Sequence, residues 1–200
     1  MSMFLGPLDS SGRVPARQQT RLSAFLISAH GALARQLAIA LPPHLRFGWE
    51  TELHTQLYRE AEIVSLLLHA TTWVPDLELP LLALSWETSW LPKPATGFDN
   101  GGQAVLIDLA ALGHALHAAI RPAALLPVEV AADDSFVLAL RRIEFESSRI
   151  MQAQILFLKS PELLSQRNAV SVAVERRHEE VRTLWLGMLK SIGVGAEQNA

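Results

Sequence analysis

Residues 160–192 read SPELLSQRNAVSVAVERRHEEVRTLWLGMLKSI. The opening Ser160-Pro161-Glu162 is the clearest local signal in the chain. A serine oxygen can cap a helix start, and proline suits the first helical position because its missing N–H would lack a partner there. The acid complements the positive end of the helix dipole. Behind these residues Leu163, Val170, Val174, Val181, Trp185, Met188 and Ile192 recur at helical spacing, and Gly193 and Gly195 follow as stop signals. The spacing predicts a helix much longer than the ~11–12 residue mean of globular proteins, or two pieces broken near Asn168.

Working outward, the same period recurs upstream. From Arg17 to Leu41 the apolar stripe is Leu22, Leu26, Ala29, Leu33, Leu37 and Ala40, with Arg17, Arg21, Ser28, Gly31 and Arg35 opposite. Pro42-Pro43 stops it, since proline cannot donate a backbone hydrogen bond. Trp49 to Ala70 predicts a second helix with Leu53, Leu57, Ala61, Val64 and Leu68 inward. Gln103 to Arg121 predicts a third, with Val105, Leu109, Leu112, Leu116 and Ile120 inward and Pro122 ending it. Asp133-Asp134-Ser135 then offers a cap. The following helix carries Phe136, Leu140, Ile143, Ser147, Ile150, Gln154 and Leu158 on one side. Leu138, Phe145 and Leu156 lie opposite, so this helix is either buried on two sides or broken near Ser147-Ser148.

The chain therefore reads as mainly α: a single-domain helical bundle of about five helices, with a small extended or β segment in the middle. That segment is residues 82–90, where Leu82, Leu84, Trp86, Thr88 and Trp90 alternate with smaller or polar residues. Leu82, Trp86 and Trp90 also fit four-residue steps, so one or two helical turns compete with a strand. Residues 1–16 read as a flexible N-terminal arm, 17–192 as the helical domain and 193–200 as a C-terminal tail.

Composition narrows the function classes. Half of the 200 residues are hydrophobic and 18% are charged, enough apolar material for a core. The absence of cysteine excludes disulfides, thiolate metal sites and cysteine nucleophiles. A net charge of −3 with interleaved signs is unlike the basic footprint that binds phosphates, so nucleic acid is not expected. The longest apolar runs are too short for the ~20 residues of a transmembrane helix. No secretory signal is evident in Met1 to Arg17, and a cytoplasmic location is the expectation.

Few side chains invite chemistry. His114 and His117 stand one helical turn apart on a face read as polar, and two imidazoles so spaced can share a metal if other ligands join them. The strip His54, Tyr58, Glu62, Ser65 and His69 contains acid–base residue types, but its ends lie roughly 22 Å apart along a helix. It reads as a solvated face, as does Arg176-Arg177-His178-Glu179-Glu180. Asp99-Asn100-Gly101-Gly102 reads as a turn. Trp73, Trp86 and Trp90 sit outside the main helices near several prolines, and tryptophan is enriched at binding hot spots, so they form a candidate partner-binding surface.

With no catalytic motif and no cofactor expected, the leading expectation is a non-enzymatic helical binding protein. It would be an adaptor, a chaperone or an accessory component of a larger bacterial assembly, with a protein partner or self-association. The alternatives are a small metal-dependent or acid–base enzyme using the His114/His117 pair, and a ligand-responsive regulator with a pocket between helices.

Overall fold

The computed structural model describes residues 9–40, 50–74, 103–124 and 134–191. Among these residues the regular structure is helical: α1 (Ala16–Ala40), α2 (Glu50–Ala70), α3 (Gln103–Ala124), α4 (Ser135–Leu158), a 3-10 helix (Pro161–Gln166) and α5 (Arg167–Ser191). The mainly helical bundle expected from periodicity is thus observed. The extended segment at 82–90, Trp86 and Trp90 lie outside the described residues. No described helix is long and apolar enough to cross a membrane.

Helix α3 is the hub. It packs most extensively on α5 and α4 and also touches α1, while α2 lies against α1 and α4. From Leu106 to His117 every side chain of α3 is buried except the half-buried His114. A helix surrounded on all sides has no solvated face to give up. Between Leu106 and His117 the polar face assigned to it from sequence is therefore not present: Asp108 and His117 are buried and His114 is half-buried. The helix also runs two residues past Pro122 to Ala124.

The α1 stripe is as the sequence predicts: Leu22, Leu26, Ala29, Leu33 and Leu37 are buried. Ser28, assigned to the opposite side, is buried too. Within the stretch read as an arm, the Asp9 carboxylate accepts hydrogen bonds from the Ser11 and Arg13 amides at 2.9 Å each, and Val14 joins the core. The start of α1 also ties down the chain leaving α2. Gln19 accepts from the Thr72 amide at 2.9 Å and Thr20 from the Val74 amide at 3.0 Å.

In α4 the inward row from Phe136 to Gln154 is buried as predicted. The helix is capped by Asp134, whose side chain accepts from the Phe136 and Val137 amides. It neither breaks at Ser147-Ser148 nor buries its second apolar row, because Leu138, Phe145 and Leu156 are exposed. Ser160 is extended and Pro161 opens a helix, but no serine side-chain cap forms. The segment instead begins as a 3-10 turn, with the Leu163 amide bonded to the Ser160 carbonyl, and becomes α-helical at Arg167.

The largest departure from the sequence reading is in α2. Its buried residues are Leu53, Gln56, Glu60, Ile63 and Leu67. Ala61 and Leu68 are exposed and Leu57 and Val64 only partly covered. The inward face is rotated by one position from the most apolar one, and the rotation puts an amide and a carboxylate into the core. Opposite them Gly113 of α3 leaves no room to spare. A Cβ there would come within 2.1 Å of the Gln154 amide nitrogen and 2.9 Å of that of Gln56. The missing side chain admits a layer of two buried amides between α2, α3 and α4.

Candidate metal centre

Three helices each bring one titratable side chain to the middle of the bundle. His30 lies on the buried side of α1, one turn after Leu26 and one turn before Leu33. Glu60 lies between Gln56 and Ile63 on the inward face of α2. His117 follows the Leu109, Leu112 and Leu116 row of α3. All three are 0% exposed. His30 Nδ1 is 2.7 Å from Glu60 Oε2, and His117 Nε2 is 2.7 Å from Glu60 Oε1. One carboxylate thus bridges two imidazoles, whose ring centroids are 5.4 Å apart. A donor atom from each residue lies within 4.8 Å of the other two.

The electrostatics are unusual for a core. Burial on its own would raise the Glu60 carboxyl, but the charge and hydrogen bonds of His117 and His30 more than reverse this and hold it at about 2. Burial pushes His30 below the ordinary imidazole range, against the pull of Glu60. At neutral pH the cluster therefore holds a carboxylate while His30 resists becoming its counter-cation. A buried charge is costly unless it is matched. The outer ring nitrogens, His30 Nε2 and His117 Nδ1, have no hydrogen-bond partner among the described residues. One turn along α2, the Gln56 amide nitrogen is likewise unpartnered, as are both amide atoms of Gln154. Buried polar groups without partners are uncommon in native interiors, and here two belong to the cluster itself and a third lies one turn along α2.

Two imidazoles and one carboxylate form a recurrent ligand set for divalent transition metals. Zinc takes His nitrogens at about 2.0–2.1 Å and carboxylate oxygens at about 2.0–2.2 Å, and a two-His, one-carboxylate face with open positions is typical of iron(II). Donors bound tetrahedrally at such lengths are about 3.3 Å apart. An ion would therefore need the two 2.7 Å contacts to open by roughly 0.6 Å, within the range of small side-chain rotations.

The structure separates the two histidines paired in the sequence reading. His117 turns to Glu60 and His30. His114 turns outward to α5, with its Nδ1 2.9 Å from His178 Nε2 and the two rings edge to face at 5.0 Å. Burial and neighbouring imidazole charge lower His114, and burial lowers His178. The strip His54, Tyr58, Glu62, Ser65 and His69 is exposed throughout, as expected of a solvated face. The charged string on α5 departs from that reading. Arg177 is 2% exposed and grips buried Asp108 of α3 with two nitrogens. Arg176 reaches the same carboxylate at 2.6 Å. Trp73 is exposed at the end of α2, its indole N–H donating to the Leu68 carbonyl at 3.1 Å.

Glu146 of α4 is another buried carboxylate. Arg142 lies 2.7 Å from it, with Arg59 at 3.8 Å and Arg149 at 3.9 Å. Its surplus of cations distinguishes it from Glu60, whose partners are imidazoles alone among the interactions described.

Neither His30 nor Glu60 stands out in the sequence. The signal that could have found them is register: each replaces an apolar residue on the inward row of its own helix. Compared with family models, curated proteins and solved structures, the chain matches none.

Proposed function

We propose that this protein is a divalent-transition-metal-binding helical bundle in which His30, Glu60 and His117 hold the ion. One observation carries the reading: a fully buried carboxylate is met by two imidazole nitrogens at 2.7 Å each, and all three donors come from different helices. A divalent cation would offset the buried negative charge and use both imidazoles in their neutral form. Three protein ligands leave at least one coordination position for water or another small ligand, the arrangement found in catalytic rather than closed structural sites. The metal-dependent alternative drawn from the sequence is thereby redrawn, with His30 in the place of His114 and Glu60 as the carboxylate.

The test is metal binding by protein purified without a histidine tag. Wild type dialysed against zinc or cobalt(II) is expected to retain one equivalent of ion. His30→Ala and Glu60→Gln are each expected to bind at least about 100-fold more weakly, while circular dichroism shows the helices intact. Wild-type protein that retains no ion overturns the reading.

A second reading, a non-enzymatic adaptor, chaperone or assembly component, is favoured by the outer face of α4. Leu138, Phe145 and Leu156 are exposed there at 49%, 52% and 68%. Arg142 and Arg149 flank the Phe145 ring, with guanidinium carbons 5.7 and 5.8 Å from its centroid. Exposed apolar rows with charged flanks are common at protein contacts. If this face mediates self-association, Phe145→Glu should shift the protein towards monomer in sedimentation velocity without changing its circular dichroism. An unchanged distribution counts against self-association through this face.

A further inference from the structure

The histidine pair on the outer side of α3 offers a separate piece of metal chemistry. We infer that His114 and His178 form a transient landing site, through which a divalent transition-metal ion passes on its way to the His30–Glu60–His117 cluster. This rests on the metal-binding reading of that cluster.

The first observation is enclosure. All three cluster residues are 0% exposed, so a hydrated ion cannot reach them without shedding water on the way. Ligand exchange at an intermediate site lowers the cost of that step, because imidazole nitrogens replace water ligands before the ion leaves solvent. The second is placement. His114 precedes His117 by three residues on α3, and side chains at that spacing are neighbours on a helix surface, with Cβ atoms about 5–6 Å apart. His114 is half-buried where His117 is fully buried, so the two mark successive depths on one helix.

The third observation is the geometry of the pair. His114 Nδ1 and His178 Nε2 face each other across 2.9 Å, and the rings meet edge to face at 61°. Two imidazole nitrogens directed at one point can share a proton or a metal ion. Opening the gap by about 0.4 Å brings it to the separation of two nitrogens on a tetrahedral zinc. Two protein ligands make a weak site, with water filling the remaining positions. Weak binding is what a transit point requires, since a tight one would trap the ion. Imidazole donors select zinc, cobalt, nickel and copper over magnesium and calcium.

A site on the path but not at its end has a kinetic signature. Removing it slows uptake and release by the same factor and leaves the equilibrium constant unchanged. The experiment is stopped-flow mixing of metal-free protein with cobalt(II), followed by the visible absorption of the bound ion, with equilibrium titration of the same samples. His178→Gln keeps a polar side chain at the α3–α5 contact. It is expected to bind one equivalent with wild-type affinity but to take it up at least 10-fold more slowly, with release into excess chelator slowed equally. Unchanged rates at an unchanged endpoint overturn the transit site and leave the buried centre standing. Loss of the bound equivalent in a folded His178→Gln makes His178 an equilibrium ligand, which also overturns it. Wild-type protein that binds no cobalt fails the buried centre itself, and the transit site with it. His114→Gln should reproduce the slow uptake, and wild-type rates in that variant overturn the inference.

Discussion

Asp108→Ala is expected to destabilise the protein by about 3–5 kcal/mol, the cost of leaving one member of a buried ion pair without the other. Asp108 is 3% exposed in the second turn of α3, and Arg177 is 2% exposed on α5. Arg177 Nε donates to Oδ1 at 2.9 Å and a terminal nitrogen to Oδ2, a two-point contact stronger than a single charge-assisted bond. Although burial works against it, the hydrogen bonds and charge of Asp108 with the charge of Glu180 raise the Arg177 pKa, so the guanidinium stays charged. Alanine would leave this cation in the core, 2.7 Å from the carboxylate of the partly exposed Glu180.

Typical domains have about 5–15 kcal/mol of stability, so the loss is a large fraction of the total. At about 2–4 °C per kcal/mol for a chain of this size, Tm should fall by roughly 6–20 °C. The change is read by thermal and urea denaturation. Pairing Asp108→Leu with Arg177→Met should recover most of it, because apolar replacements of a buried pair are often neutral. A loss under about 1 kcal/mol in Asp108→Ala would mean that the pair is not desolvated as the structure places it.

This ion pair also shows where sequence reasoning reached its limit. Arg176 to Glu180 has the (i, i+4) charges of a solvated helix face, and taken one helix at a time that reading is sound. Helix α3 reverses it. Its residues are mainly Leu and Ala, so it goes to the centre of the bundle and takes Asp108 with it, and the buried carboxylate draws Arg177 inward. The partners are 69 residues apart, and no local pattern encodes that distance. The same holds for the candidate centre. The stripes of α1 and α4 were legible because apolar residues dominate their inward rows, even with Ser147 and Gln154 among those of α4. The inward row of α2 was not, because Gln56 and Glu60 interrupt it and the adjacent row of Leu57, Ala61, Val64 and Leu68 is more hydrophobic. Local rules fail most often where a protein gives up stability for function, and the misassigned face of α2 is the face that carries Glu60.

Metal binding should add stability to the fold, and this is the second large effect. Zinc at about 1,000 times its dissociation constant is expected to stabilise wild-type protein by about 4 kcal/mol, since an ion that binds the folded chain alone shifts the equilibrium by mass action. At about 2–4 °C per kcal/mol this raises Tm by roughly 8–16 °C. Chelator should return Tm to its starting value. The unfolded chain cannot imitate the centre, because its ligands are separated by 30 and 57 residues and converge only when α1, α2 and α3 pack together. Glu60→Gln separates metal binding from simple core packing. It keeps the size of the side chain and its ability to hydrogen-bond, but removes the charge that the ion would neutralise. Its metal-free form should unfold at a lower temperature than metal-free wild type, because the hydrogen bonds and charge that hold the Glu60 carboxyl at about 2 favour the carboxylate in the folded chain. Zinc should then leave its Tm unchanged. Magnesium should not raise the wild-type Tm, since it favours oxygen ligands and sheds its water reluctantly. A rise with zinc that survives both Glu60→Gln and His30→Ala would place the ion elsewhere. No rise in wild type would leave Glu60 as a carboxylate held by two imidazoles, and the cluster as a purely structural network between three helices.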